Sequence, residues 1–269
     1  MTTHHPKTIL LTGASGKLGR MLAKALAAHG WRLRLTDISP FPDPLPPGAS
    51  FTRADLEDGV TIARLAENCS TILHFGGVST EHPFEDIIGP NIRGLYHIYE
   101  AARREKARVV FASSNHTIGF YERSETITPE EPFRPDGFYG LSKAYGELIG
   151  RLYWDKHGVE SVFVRIGSAY PEPIDARMLT TWLAYDDLAA MMTNCVLAEK
   201  VGCCVVWGAS NNSRMTWWKD DARATIGWAP KQSADPYTGQ MQGKVSGNAV
   251  AERHMGGGFC AIDYSRTTP

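Results

Sequence analysis

A doubly wound parallel α/β sheet is the fold this sequence predicts, and three observations predict it. Strand-like and helix-like segments alternate from residue 7 to residue 166. A glycine-spaced turn joins the first such strand to the first helix. Polar or glycine residues, namely Gly13, Asp37, Asp55, Gly76, Ser114 and Ser168, stand where successive strands end. Alternation of this kind yields parallel strands joined by right-handed helical crossovers. Sheets so built take their ligands beyond the carboxyl ends of the strands.

Residues 7–12 are an apolar run suited to a buried strand. Residues 17–29 carry apolar side chains at 18, 21, 22, 25 and 26, the spacing of a helix, and Gly30 ends it. A strand over 31–36 closes on Asp37. The proline-rich stretch 40–48 fits neither a helix nor a central strand, so it is a loop. A short strand over 51–54, a helix over 60–67 and a strand over 71–75 follow, the last ending in Gly76-Gly77. Residues 84–106 read as one long helix, and 107–112 as a strand ending in Ser113-Ser114. A helix over 140–157 stops at Gly158, and a strand over 160–166 runs into Gly167-Ser168.

Beyond residue 167 the alternation weakens. A helix over 185–199, capped near Asp186, and a strand over 204–207 are expected. The tail from Lys231 is rich in glycine, without a long periodic run, and reads as a lid-like extension. The expected organisation is a single domain over 1–269, with a cofactor-binding core at 7–168 and a smaller substrate-binding lid part at 169–269.

Composition narrows the function. Apolar residues make up 43% and charged residues 21% of 269, ordinary values for a soluble globular protein. The net charge of −1 and the lack of a basic block argue against nucleic acid or an anionic membrane as partner. The apolar run at 8–12 is too short for a signal segment, and no stretch approaches a membrane span. Five cysteines without C-x-x-C spacing fit reduced thiols in the cytoplasm, and Cys203 and Cys204 should face opposite sides of a strand. His4-His5 is too short for a metal tract, and no metal is expected.

Gly13, Gly16 and Gly19 form G-x-x-G-x-x-G between strand and helix. Glycines there permit a tight turn and let the backbone approach a pyrophosphate, while the helix N-terminus supplies N–H groups and a positive dipole end. Asp37, at the end of the next strand, can accept both ribose hydroxyls of an adenosine and would repel a 2′-phosphate, which favours NAD over NADP. Lys17 and Arg20 lie close enough to reach a phosphate and complicate that choice. Asp55 suits the adenine amino group or a helix N-cap. The expected cofactor set is Gly13, Gly16, Lys17, Leu18, Gly19, Asp37, Ile38, Asp55, Leu56, Phe75, Gly76 and Gly77, with Tyr139 and Lys143.

Tyr139 and Lys143 are one helical turn apart on one face. A phenol of pKa about 10 is a poor base near neutrality. An ammonium ~5 Å away, at an effective dielectric of ~20, favours the phenolate by about 3 kcal/mol, or roughly two pKa units. The lysine can also hold ribose hydroxyls.

The glycine turn, the Tyr139-Gly-Leu-Ser-Lys143 segment and an upstream strand-end serine together resemble the extended short-chain dehydrogenase/reductase superfamily, over residues 7 to about 230. The resemblance implies a Rossmann-type sheet with a small C-terminal substrate-binding extension. It also implies a catalytic triad of Ser114, Tyr139 and Lys143. In that superfamily, helices matching 84–106 and 140–157 commonly pair between subunits, so a homo-oligomer is expected by analogy.

Ser79, Ser114, Asn115, His116 and Ser168 offer hydroxyl, amide and imidazole groups suited to a sugar's hydroxyls. Arg177 offers a planar fork that matches a carboxylate. Polyol plus carboxylate means an acidic sugar. Alternatives stay open for three of these residues: His116 as a satisfied loop histidine, Arg177 as a surface ion-pair partner, and Ser79 as a helix cap.

The stretches F-A-S-S-N-H-T-I-G, Y-G-L-S-K, R-I-G-S and R-M-L-T-T-W resemble the uronate dehydrogenase family. That resemblance implies NAD-dependent oxidation of galacturonate or glucuronate at C1 to the aldaro-lactone. It implies Ser79, Ser114, Asn115, His116, Tyr139, Ser168 and Arg177 as substrate contacts, and Ile166 beside the nicotinamide amide. A nucleotide-sugar epimerase or dehydratase is the rival; it needs a sizeable C-terminal domain, and only 126 residues follow Lys143. A non-catalytic NAD-binding regulator would usually have lost the triad.

Overall fold

The computed structural model describes residues 7–266; the His4-His5 pair lies outside them. Its strands are β1 (Thr8–Thr12), β2 (Arg32–Asp37), β3 (Ala49–Arg53), β4 (Thr71–His74), β5 (Arg108–Ser114), β6 (Ser161–Ile166), β7 (Ser168–Ala169), β8 (Trp182–Leu183) and β9 (Cys203–Gly208). Seven of them form one sheet in the order β3-β2-β1-β4-β5-β6-β9, every pair parallel. The order reverses direction at β1, so the ends of β1 and β4 open a crevice for a ligand. The expected Rossmann-type sheet is therefore present.

Strand residues alternate between two cores, as a period of two requires. Ile9 and Leu11 pack on one face, where α1 (Lys17–Ala27) brings Leu22 and Leu26. Leu10 packs on the other, against Ile62 of α2 (Gly59–Ala66). Cys204 joins the first core and Cys203 the second, as their adjacency predicts.

Residues 84–106 depart from the single helix expected. They divide into α3 (Phe84–Ile87), a π turn over Ile88–Arg93, and α4 (Gly94–Glu105). Pro90 lies inside that turn and has no N–H to give to the helical ladder, so the coil widens around it. α5 (Phe138–His157) ends on Gly158 in the left-handed region, φ 67°, as expected.

α6 (Met178–Thr181) precedes β8, which pairs with β7; neither was expected from periodicity, being too short to show any. α7 (Tyr185–Leu197) follows, and its start corrects the expected cap. Asp186 makes no cap: Ala184 is the N-cap residue, and its N–H donates to the Ser210 hydroxyl at 2.9 Å. The neighbouring Asp187 turns inward to accept from that hydroxyl at 2.6 Å and from the backbone N–H groups of Lys231 and Gln232.

The tail carries α8 (Thr238–Met241) and α9 (Ala249–Arg253). It is fastened back onto the segment after β5: Met255 N–H donates to Tyr121 O at 2.8 Å and Gly256 N–H to Gly119 O at 2.9 Å. Arg123 pairs with Glu252 at 2.7 Å and donates to Ala251 O. Among the described residues, no helix is long and apolar enough to cross a membrane.

Candidate active site

The turn after β1 shows why glycine is needed there. Gly13 has φ 70°, and a Cβ on it would sit 2.5 Å from the Phe75 carbonyl. A Cβ on Gly19 would lie 2.1 Å from Gly13 O, so helix and turn touch backbone to backbone. α1 starts after Gly16 with no side-chain cap, leaving its first N–H groups directed at whatever lies above the turn. Lys17 is exposed and Leu18 half-buried in its first turn.

Around this turn stand the other residues expected to hold a dinucleotide. Asp37, half-buried at the end of β2, accepts from Ser15 N at 3.0 Å and from Ser39 N at 3.0 Å. Ile38 beside it leaves 58% of its surface exposed, an apolar face at the mouth of the crevice. Asp55 is exposed and accepts from Glu57 N; the cap of α2 is Asp58, so the N-cap alternative for Asp55 is excluded. Leu56 fills the space beside Gly76, and Gly76 N–H donates to Thr12 Oγ1 at 3.1 Å. The residues present thus fit a dinucleotide: a helix N-terminus, a backbone cradle closed to side chains, and a carboxylate one strand over.

Ser114 ends β5, and Tyr139 and Lys143 project from the first turns of α5. All three are buried: 4%, 8% and 6% exposed. The Lys143 ammonium lies 5.5 Å from the centre of the Tyr139 ring. Burial corrects the expected electrostatics. It pushes the Tyr139 phenol up to about 12; the Ser114 hydroxyl opposes this and the Asp136 charge adds to it. Burial also pushes Lys143 down to about 8. Desolvation therefore outweighs the two-unit acidification that spacing suggested, because both partners sit where charge is poorly solvated. His74 lies in the same shell; burial and then the Lys143 charge hold it down at about 3, so it is neutral, in contact with Thr12 Oγ1 at 2.7 Å.

Of the residues expected to contact substrate, Asn115, Ser168 and Arg177 meet past the ends of β5 and β6. Arg177, half-buried, donates from Nε to Met255 O at 2.7 Å and from Nη1 to Ser168 Oγ at 3.2 Å. Asn115, with its amide oxygen turned to Arg177, accepts from Nη2 at 2.6 Å and donates to Ile166 O at 3.0 Å. Every one of these acceptors is neutral. Among the described residues no carboxylate reaches Arg177 within 4.0 Å, which excludes the surface ion pair. Burial lowers its pKa to about 10, the mark of a cation short of solvent. Ser79 is exposed on the loop after β4, and α3 begins after Pro83 without a side-chain cap, so Ser79 is no cap. Arg165, from the same R-I-G-S segment as Ser168, turns away from the site and pairs with Glu147 inside the protein, 2.8 Å apart.

Four residues here lie outside the site set expected from the sequence. Asn91, inside the π turn, accepts from Val78 N–H and donates to Val78 O and Ser142 Oγ, tying the loop after β4 to α5. Glu81 accepts from Phe138 N at 2.8 Å and from Tyr139 N at 2.9 Å, capping the helix that carries the phenol. Asp136 binds His116 Nδ1 at 2.7 Å, which satisfies one ring nitrogen of this loop histidine. Phe259, in the tail, stacks on the His116 ring at 3.9 Å. Only Glu81 gave a signal, as an acidic residue in a polar loop; the others depend on contacts across long sequence separations.

The sequence matches the NAD dependent epimerase/dehydratase family over residues 9–229. It is 46% identical to a uronate dehydrogenase of Pseudomonas putida over 90% of each chain. The chain belongs to the uronate dehydrogenase family. A second member, from Pseudomonas syringae, is 44% identical over 97% of this chain and 96% of its own. The crystal structure of the family's Agrobacterium tumefaciens member, a tyrosine-to-alanine mutant complexed with NAD, superposes with a TM-score of 0.90. That protein is 42% identical, with 96% of this chain and 98% of that one covered.

Proposed function

We infer that this protein oxidises a hexuronic acid at C1 with NAD, and that its own residues divide the work as follows. Arg177 is the observation that carries the reading: a poorly solvated guanidinium whose acceptors are all neutral is completed by a carboxylate. Asn115 and Ser168 hold its fork in place, and Ser79, Ser114 and His116 face the sugar hydroxyls. NAD, when bound, accepts the hydride and brings a positive ring charge beside the phenol. Gly13, Gly16, Lys17, Leu18 and Gly19 would hold its pyrophosphate, Asp37 and Ile38 its adenosine ribose, and Asp55 and Leu56 its adenine. Phe75, Gly76, Gly77, Lys143 and Ile166 would hold the nicotinamide side.

Tyr139 takes the proton of the C1 hydroxyl as the C1 hydrogen leaves as hydride, so C1 becomes the carbonyl of a lactone. Since burial alone keeps the phenol protonated, the Lys143 ammonium and the cofactor charge must act together to ready it. Ser114 steadies the reacting oxygen. Residues 7–168 act as the cofactor-binding core and 169–269 as the substrate wall of one domain. NADH absorbance with galacturonate and glucuronate, set against the parent aldoses, tests the assignment. Equal turnover of the neutral aldoses would refute the role of Arg177.

A homo-oligomer and a cytoplasmic setting complete the proposal. α5 exposes Phe138, Leu141, Leu148 and Leu152 on its outer face, and Tyr96 adds to them from α4, each with at least 46% of its surface open. Such a stripe suits a second copy of the chain, testable by light scattering. Five unbridged cysteines suit a reducing compartment.

A further inference from the structure

Asp136 enters the chemistry described so far only as a charge that raises the Tyr139 phenol, yet it is among the most enclosed charged side chains near the site. Its side chain is fully buried. Oδ2 meets His116 Nδ1 at 2.7 Å, while Oδ1 has no hydrogen-bond partner among the described residues. Three glycines from separate segments make room for it. A Cβ on Gly119 or Gly256 would lie 2.0 or 1.9 Å from Oδ2, and one on Gly140 would lie 3.0 Å from Oδ1. The strand-end turn, the catalytic helix and the tail therefore all yield space to one carboxylate. Among the described residues the polar group nearest its side chain is the His116 ring, and the Cys260 thiol donates to Oδ2 from 3.8 Å.

We propose that Asp136 is a positioning residue that sets the tautomer of His116, so that the imidazole meets the sugar as a hydrogen-bond acceptor. A carboxylate only accepts, so the proton between the two lies on Nδ1, and in the neutral ring Nε2 carries a lone pair. Nε2 bonds to nothing among the described residues. The ring cannot turn to present another edge: Phe259 covers its face at 3.9 Å, and the Tyr139 ring stands edge-on at 5.7 Å. An acceptor fixed beside the phenol selects a substrate whose hydroxyl donates there, and it penalises one that has lost that hydroxyl. This inference rests on the proposed reading of His116 as a substrate contact.

Two measurements test it. Nitrogen NMR of the His116 ring in the intact protein should show the Nδ1–H tautomer; an Nε2–H or doubly protonated ring at assay pH would overturn the proposal. Asp136→Asn keeps the shape but lets an amide N–H donate to Nδ1, driving the proton to Nε2. KM for galacturonate should rise about tenfold with NAD affinity changed much less, while kcat moves separately because the charge that raises the Tyr139 phenol is gone. Against a panel of mono-deoxygenated galacturonates, the rise should vanish for the one analogue lacking the hydroxyl that His116 receives. A uniform loss with every analogue, or a fall in NAD affinity, would mean a merely structural role. His116→Ala separates the two readings. If KM is unmoved there, the contact itself is wrong; if it rises there but not in Asp136→Asn, only the tautomer argument fails.

Discussion

The proposed cofactor crevice and the proposed substrate wall of this molecule are built by different rules. The crevice for the dinucleotide is made of backbone: Gly13 and Gly19 press against main-chain atoms, and the carboxylate of Asp37 is held by two nearby N–H groups. The substrate wall is made of side chains drawn from distant places, with Arg177 held by Met255 and Ser168, and His116 held between Asp136 and Phe259. Backbone cradles follow from a short motif and tolerate little; side-chain walls follow from packing and can be retuned one residue at a time. That contrast explains how one sheet hosts many substrates.

Perturbing each half should move only its own ligand, and the effects should fall in a definite order. Tyr139→Phe stands where the halves meet, so turnover should drop about 10²–10⁴-fold while NAD binding, read by thermal shift, persists. Arg177→Met should raise KM for uronates roughly ten- to a hundredfold, the value of one charge-assisted pair, and leave NAD affinity alone. Gly19→Ala should do the converse, weakening NAD about tenfold through overpacking, with any uronate effect following from that loss. A Gly19→Ala protein with normal NAD affinity would break the distinction.

Smaller effects sharpen it. Glu81→Gln leaves one N–H of the catalytic helix facing an amide donor, so kcat should fall about three- to tenfold with both ligand affinities nearly intact. His74 contributes through pH. Its folded pKa is depressed to about 3 from 6.5, so its contribution to stability is complete above 6.5 and is lost as pH falls towards 3. The melting temperature should decline over that window, and His74→Asn should flatten the decline. An unchanged slope would mean that His74 is not the group responsible.

The same contrast governs what could be read from the chain beforehand. Every strand of the main sheet was legible, because alternation and glycine stops are local patterns, and so was the acid–base helix with its Tyr139 and Lys143. The π turn was not, since a lone Pro90 in an otherwise periodic run signals a break without saying what replaces it. β7, β8 and the pieces of the tail are two to five residues long, below any period. Candidate substrate residues were found by chemical type at strand ends, but Asp136 and Phe259 owe their places to contacts across 20 and 143 residues of chain, beyond reach of any local pattern. The sign of the Tyr139 shift was missed because spacing reports which charges are near and says nothing of how much water remains.

The inward ion pair of Arg165 and Glu147 has a consequence for the two adjacent serines of β5. Ser113 Oγ also binds Glu147, and Arg165 lies between the rings of Phe133 and Trp207. What joins β5 to the pair is the Ser113 hydroxyl, which donates to Glu147 of α5 while Arg165 of β6 neutralises that carboxylate. Ser113 is thereby committed to the interior, and Ser114, on the other face of β5, is the serine left before the phenol.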